Sequence, residues 1–399
     1  MTPRSICFVS LSNFAALAGA ESAGPQGRTL CPGGAEVQQM HIAHGLRDRG
    51  HDVSFITYDH GQPDGAEIDG IRVYHAFDRK AGLPGMRFWH PRWTGLCAAM
   101  RRADAQIYIQ RTASSESGQV CRWCRAHGKR FVFSVASDSD VDPKLPWLAG
   151  WLERSLYRYG LRHADGVVVQ TQQQRRMLAD AFNRSAVMIS SCKPIAPLDP
   201  DRLALPPGPT GRPAVLWVGR FVRAKRPEWC LAVAARCPQF DFHLVGGSVE
   251  ENALSEHLRY RADVLSNVIL HGPVPYNDMS RFYQDCHVLL CTSSIEGFPN
   301  TFLEAWSHGR PVVGSVDPDG VVTKFGLGLV GQSARELAES LTALLSNQER
   351  WAQVAKSAYQ YVCEHHSLDG AVTAYERLFD SLGAESESHV PAAHARMNT

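Results

Sequence analysis

A chain of 399 residues is too long for one ordinary core, so two domains of roughly 150 to 200 residues each are expected. With 44% hydrophobic and 20% charged residues and no apolar run of about 18, the composition is that of a globular protein, and it argues against a disordered chain or a membrane-spanning helix. The net charge of +1 hides an asymmetry: residues 1–195 carry 24 Lys and Arg against 17 Asp and Glu, and the remainder carries 17 against 23, which points to different partners for the two halves.

The first apolar stretch, Ile6 to Phe14, is broken by Ser10, Ser12 and Asn13 and lacks the basic start and long apolar middle of a signal peptide. It reads as a buried strand and its turn. Gly33-Gly34-Ala35-Glu36 then makes the first strand-to-helix connection, where consecutive glycines let a ligand approach the backbone. A helix is predicted over Ala35–Arg49, with Val37, Met40, Ile42 and Leu46 near one face and Gly50 at its end. Strands follow at Val53–Thr57, Ile71–His75, Ile107–Gln110, Phe131–Ala136 and Val167–Gln170. The alternation predicts a parallel sheet with helices on both faces.

Two stretches of this half stand out. Residues 79–102 hold Arg79, Lys80, Arg87, Arg92, Arg101 and Arg102 with no acidic residue, interleaved with Phe88, Trp89 and Trp93, a mixture suited to a membrane surface or, alternatively, to a basic loop and helix that pack their tryptophans inward. Cys121-Arg-Trp-Cys124 lies inside a helical pattern rather than at a helix start, so it reads as two ordinary cysteines. The eleven cysteines show no disulfide or zinc spacing, which favours a reducing compartment, the cytoplasm.

Seven prolines between Pro194 and Pro213, with Gly208 and Gly211, cannot serve helices or inner strands and predict a linker at 194–213. The alternation then restarts: strands at Val215–Val218, Phe242–Val245, Val268–His271, Val288–Cys291 and Pro311–Gly314, with helical patterns between and after them. The expected organisation is a first domain at 1–193, the linker, a second domain at 214–360, a helix at 361–382 returning toward the first domain, and a disordered tail at 383–399. Facing strand ends of two such domains would form a ligand cleft.

The central segment is Glu296-Gly-Phe-Pro-Asn-Thr-Phe-Leu-Glu304. Glu296 falls in the loop after a strand, Asn300 reads as a helix cap, and Gly309 ends the helix. The free N–H groups from Gly297 through Phe298 and Asn300 to Thr301 would meet a diphosphate at the positive end of the helix. A carboxylate accepts two adjacent hydroxyls, so Glu296 and Glu304 fit sugar diols on either side of the phosphates. Gly219-Arg220 and Lys225, at the end of the Val215–Val218 strand, form a second cationic phosphate clamp; neighbouring Arg223 and Arg226 read as solvated.

Together with Val245-Gly246-Gly247 and His271-Gly272 before Val274, these pieces resemble retaining glycosyltransferases of family 4. The resemblance implies the GT-B fold: α/β, two doubly wound Rossmann-like domains facing each other across a cleft. It implies a UDP- or GDP-sugar as substrate, with no cofactor and no metal. Arg220 and Lys225 would bind the diphosphate, Glu296 the sugar and Glu304 the ribose; Gly272–Tyr276 would frame the base. Gly34, Gly247, Val274, Gly297, Phe298, Asn300 and Thr301 complete the implied donor site. The acceptor would be a saccharide or a lipid-linked saccharide, with contact to the inner membrane face through 79–102 and no nucleic acid partner.

Two departures from the family pattern stand out. Ser137-Asp138 replaces the usual His, so Asp138 is a candidate for orienting an acceptor hydroxyl, with a turn or capping role as the alternative. Cys192-Lys193 replaces Asn-Gly before the linker. Competing readings are a nucleotide-sugar epimerase of the same fold and an inactive sugar-nucleotide binding homologue. Gly326-Leu-Gly328-Leu-Val-Gly331 matches a dinucleotide fingerprint but lies late in the second half, after a loop, which argues against a dehydrogenase.

Overall fold

The computed structural model describes residues 2–18, 32–83, 85–198, 211–248 and 253–387. In the N-terminal half, β1 (Ser5–Val9), α1 (Phe14–Ala18), α2 (Gly34–Asp48), β2 (Asp52–Thr57), β3 (Ala66–Ile68), β4 (Ile71–His75), α3 (Thr94–Ala103), β5 (Ile107–Arg111), α4 (Ser115–Ala126), β6 (Arg130–Ser134), α5 (Trp151–His163), β7 (Gly166–Val169), α6 (Gln172–Phe182) and β8 (Val187–Met188) follow in order. The sheet runs β3-β4-β2-β1-β5-β6-β7-β8, with β3 antiparallel to β4 and the other pairs parallel. Connections from β1 run toward β2 and those from β5 toward β6, so the strand order reverses between β1 and β5.

Two apolar layers cover this sheet. On one face Leu96, Met100, Val120, Trp123, Tyr157 and Leu178 bring α3 to α6 onto the strands. On the other, Ile42 and Leu46 of α2 meet Val372, Tyr375 and Phe379 from the end of the chain. The near-continuous Ile, Val and Phe runs of β1, β2 and β6 are what burial on both faces requires.

The C-terminal half contains β9 (Ala214–Val218), α7 (Pro227–Ala234), β10 (Asp241–Val245), α8 (Ala253–Asp263), β11 (Val268–Gly272), α9 (Met279–Asp285), β12 (Val288–Cys291), α10 (Asn300–Ser307), β13 (Val312–Gly314), α11 (Val321–Phe325), β14 (Gly328–Val330), α12 (Ala334–Leu345), α13 (Gln348–His365) and α14 (Leu368–Glu387). Its six strands are parallel in the order β11-β10-β9-β12-β13-β14. The fold is therefore two Rossmann-like α/β sheets, as the alternation implied.

Several boundaries differ from the sequence reading. The expected break after residue 360 falls inside α13, and α14 continues to Glu387, past the tail expected from 383; residues 388–399 lie outside the described residues, as does most of the proline-rich linker. α14 packs against α2, so the end of the chain completes the first half's core. The short strands β3 and β8 and the helix α1 carry too little periodicity to be read from sequence. The glycine run at 326–331 supplies β14, followed by Ser333 capping α12 by accepting from the Glu336 N–H.

Candidate functional site

Carboxyl ends of both sheets meet, and the two halves touch. The Asn300 side chain donates to the Gly34 carbonyl at 2.6 Å. A Cβ on Gly34 would lie 2.7 Å from Asn300 Nδ2, and one on Gly297 would lie 2.7 Å from the Ala136 carbonyl. Gly297 is thus needed for close approach to the backbone of the first half, whereas at Gly34 the Asn300 amide could shift. Asp319 accepts from the N–H groups of Gln172 and Gln173, at 2.6 and 3.0 Å, across the same divide. Asn300 is the first residue of α10 rather than its cap; Pro299 holds the cap position, and the amide is committed to Gly34.

No side chain caps α10, and the N–H groups of Gly297, Phe298, Asn300 and Thr301 have no acceptor among the described residues. They remain available to an anion at the positive helix end. The Phe298 side chain packs inward on His366 and Trp306, so only its backbone serves the cleft.

Glu296 and Lys225 form an ion pair across this helix start. Lys225 ends a 3-10 turn, Arg223–Lys225, which is tied to the 292–294 loop: the Ser294 N–H donates to the Ala224 carbonyl at 2.8 Å, and Thr292 Oγ1 to the Lys225 carbonyl at 2.7 Å. Arg226 is not solvated, contrary to the sequence reading. It donates to the Thr292 and Ser293 carbonyls at 2.8 and 2.7 Å and lies 3.9 Å over the Trp229 ring, so it buttresses the loop that carries Glu296. Arg220 is exposed just after β9 and forms no ion pair among the described residues.

Glu304 is mostly buried, and its carboxylate has two protein partners. Lys193, at the start of the linker, forms an ion pair with one oxygen, and the Tyr276 hydroxyl donates to the other at 2.7 Å. Because that hydroxyl proton goes to Glu304, the 3.1 Å contact with His41 makes the His41 Nε2–H the donor. Burial lowers the His41 pKa to about 4, with Lys193 acting in the same direction, so the ring is neutral near pH 7. Burial, followed by the Glu304 charge, pushes the Tyr276 phenol upward. His41, Lys193 and the Tyr276 side chain were not among the expected site residues; the only sign of Lys193 was its departure from Asn-Gly.

Gly247 follows β10, and its carbonyl accepts from the Phe221 N–H at 2.9 Å. Its neighbour Gly246 is the constrained one, with φ +127° where its backbone passes against Gly219. Val274 is partly buried against the second core, beside the segment leading to Tyr276.

Asp138 opens a 3-10 turn after β6 and faces the same cleft. Its carboxylate accepts from the side-chain amides of Gln173 at 2.9 Å and Gln174 at 3.2 Å. Burial raises its pKa; the Gln174 bond opposes this, while Asp319, Asp140 and Glu296 add to it. The capping role in this turn belongs to Asp140, whose carboxylate accepts from the N–H groups of Ala136 and Ser137 at 2.8 and 3.1 Å.

Among the described residues no three His, Cys, Asp or Glu side chains are grouped to hold a metal ion, and no helix is long and apolar enough to cross a membrane. The 79–102 stretch carries a ring cluster in which exposed Trp89 lies 5.7 Å from half-buried Trp93, beside half-buried Phe88. Arg102 does not contribute a free charge there, because it pairs with Asp64 at 2.7 Å.

Comparison with known proteins agrees with this architecture. The family described as glycosyl transferases group 1 matches residues 212–347, and the one described as glycosyl transferase 4-like domain matches residues 33–189. The GtfA subunit of UDP-N-acetylglucosamine–peptide N-acetylglucosaminyltransferase from Streptococcus gordonii is 23% identical over 71% of this chain, which spans 56% of that relative's length. Sucrose-phosphate synthase from Thermosynechococcus elongatus superposes with a TM-score of 0.76 at 20% identity, covering 95% of this chain and 99% of the other. HepE from Anabaena, in complex with UDP and glucose, superposes with a TM-score of 0.70 at 17% identity, covering 96% of this chain and 100% of the other.

Proposed function

We propose that this chain, which belongs to the group 1 glycosyltransferases with the two-domain GT-B fold, moves a hexosyl group from a UDP- or GDP-sugar to a saccharide or lipid-linked saccharide, with retention, in cell-surface polysaccharide or glycolipid synthesis. The observation that carries this is the helix start of α10: unsatisfied N–H groups flanked by Glu296 and Glu304, each carboxylate partnered by a lysine, with Arg220 left unpaired. Two lysines balance the two carboxylates there, and Arg220, exposed after β9, would add the positive charge that a diphosphate needs. HepE, of the same fold, was crystallised with UDP and glucose, which supports a UDP-sugar as the first donor to test.

Breaking the bond between anomeric carbon and phosphate builds charge on the leaving diphosphate. Arg220, Lys225 and the N–H groups from Gly297 to Thr301 would stabilise that charge, the largest catalytic contribution expected here. Glu296 would take hydroxyls of the hexose and Glu304 those of the ribose, exchanging lysine and tyrosine contacts for the diol. Asp138, held by Gln173 and Gln174 on the opposite wall, would accept from a hydroxyl near the reacting centre. Attack from the leaving-group face would give retention. The positive charge for the reaction comes from these side chains and the helix, without a metal.

A thermal-shift panel of UDP, GDP and their sugars tests this reading. The expected result is stabilisation by one nucleotide diphosphate, and transfer to an added acceptor. Isomerisation of the sugar without acceptor would instead assign an epimerase, and binding without turnover an inactive homologue.

The same proposal places the enzyme in the cytoplasm at the inner membrane face. Trp89 (62% exposed), Leu83 and Met86 would enter the headgroup layer, with Arg79, Lys80, Arg87 and Arg101 meeting anionic lipid. Vesicles containing phosphatidylglycerol at low salt should bind the protein, and W89A should weaken binding several-fold. Equal binding to neutral vesicles would refute the electrostatic part.

A further inference from the structure

The crevice between β1 and β5 is where the strand order of the first sheet reverses, the place where open α/β sheets take ligands. Arg111 stands at its floor, the last residue of β5. It alternates with Ile107 and Ile109, which belong to the core shared with α2 and α14, so its side chain lies toward those helices. Its NH1 donates to Ser134 Oγ at 3.0 Å, and its buried Nε has no partner.

No carboxylate pairs with this guanidinium among the described residues. Burial works to lower its pKa, and Tyr375, Asp140 and Glu36 act on it only from a distance. Asp140 is occupied by backbone N–H groups, including that of Ala113 at 3.1 Å, and Glu36 accepts from Ser12 Oγ at 2.7 Å. A largely enclosed cation without a counter-ion is costly to the fold, which makes it a candidate for a ligand's partner.

Beside it lie further unmatched polar atoms. Val9 pairs with Gln110, so the turn after β1 sits next to Arg111. In that turn Asn13 is fully buried, and neither its Nδ2 nor its Oδ1 has a partner among the described residues. Gln39, on α2, donates to Ser10 Oγ at 2.9 Å, while its Oε1 is unmatched. Donors, acceptors and one cation thus lie on neighbouring segments, the turn after β1, the end of β5 and the first half of α2, whose Gly34 touches α10 through Asn300.

We infer that this crevice is an acceptor subsite for an anionic saccharide, with Arg111 binding an oxyanion of the acceptor and Asn13 and Gln39 its hydroxyls. The inference rests on the glycosyltransferase reading and names the acceptor's chemistry within it. The oxyanion has two sources, a uronate carboxylate or the phosphate of a lipid-linked sugar. A planar guanidinium suits either by paired hydrogen bonds.

The test titrates the full chain, saturated with UDP, with cellobiouronic acid, with glucose linked through diphosphate to a short polyprenol, and with neutral cellobiose. At least one anionic probe should bind about tenfold more tightly than cellobiose, and which one does so identifies the source. R111Q should bring that ratio near one while leaving UDP affinity unchanged and the Tm equal or higher, because an uncompensated charge has been removed. R111K, with the charge but not the fork, should keep part of the ratio. The inference is overturned if neither anionic probe exceeds cellobiose, if R111Q keeps the preference, if R111Q loses UDP affinity, or if either variant melts markedly lower. Failure of the wild-type chain to bind any nucleotide diphosphate would instead bring down the transferase reading.

Discussion

Charges on the two sides of the cleft are managed differently. Around α10 the carboxylates are matched: Glu296 by Lys225, and Glu304 by Lys193 and Tyr276. Beside β1 and β5, Arg111, Asn13 and Gln39 keep atoms without a partner among the described residues. A matched site can exchange partners when a ligand enters, at little cost to the empty protein. An unmatched one lowers the stability of the empty fold and gains most from its ligand. On the proposed function, the matched side would serve the nucleotide sugar and the unmatched side would carry what is particular to this chain's acceptor.

The largest expected effect concerns Arg220, an exposed cation after β9 that forms no ion pair among the described residues. R220A should cut turnover by about a hundredfold and weaken UDP binding about tenfold. E304Q should weaken UDP binding less, about fivefold, because it removes charge but retains a hydrogen-bonding group. Steady-state kinetics with titration of UDP measures both, and the reverse ranking would break the assignment of Arg220 to the diphosphate.

A smaller effect tests whether the donor side is matched as described. K193M leaves the Glu304 carboxylate without its cation and should cost about 2 kcal/mol, discounted because the pair is not fully enclosed. Combining K193M with E304Q should restore most of that loss. Thermal unfolding of the two single variants and the double variant reads the coupling, and additive losses would show that the pair is not coupled.

The smallest effect is on pH dependence. His41 and His366 have pKa values lowered to about 4, mainly by burial. Between their ordinary value near 6.5 and about 4, the unfolded chain binds more protons than the native one, so stability is present above pH 6.5 and is lost as pH falls toward 4. The Tm should drop by roughly 5 °C across that window, and H41Q should flatten the drop. A Tm independent of pH there would show that these rings are not held neutral at the junction between halves.

Much of the local frame of the candidate site was legible because its pieces are close in sequence. Glu296 and Glu304 bracket one strand–loop–helix unit, and their spacing along the chain fixes where they lie on it. What was misread depended on contacts distant in sequence. Asn300 has the composition of a cap, but its amide goes to Gly34, 266 residues away. Arg226 looks like one more exposed cation in a basic turn, yet two loop carbonyls hold it. Short strands such as β8 exist only because a neighbouring strand edge is present to pair with.

By itself, the sequence determined the alternation of strands and helices, hence the two parallel sheets, and the glutamates at the α10 unit, because apolar period and glycine turns act within a few residues. Only the tertiary structure decided which charges are neutralised. Lys193 meets Glu304 across 111 residues and Lys225 meets Glu296 across 71, while Arg111 meets no carboxylate at all among the described residues. Charge pairing is a matter of distance in space, and chain spacing carries no record of it until the loops at the strand ends have been brought together.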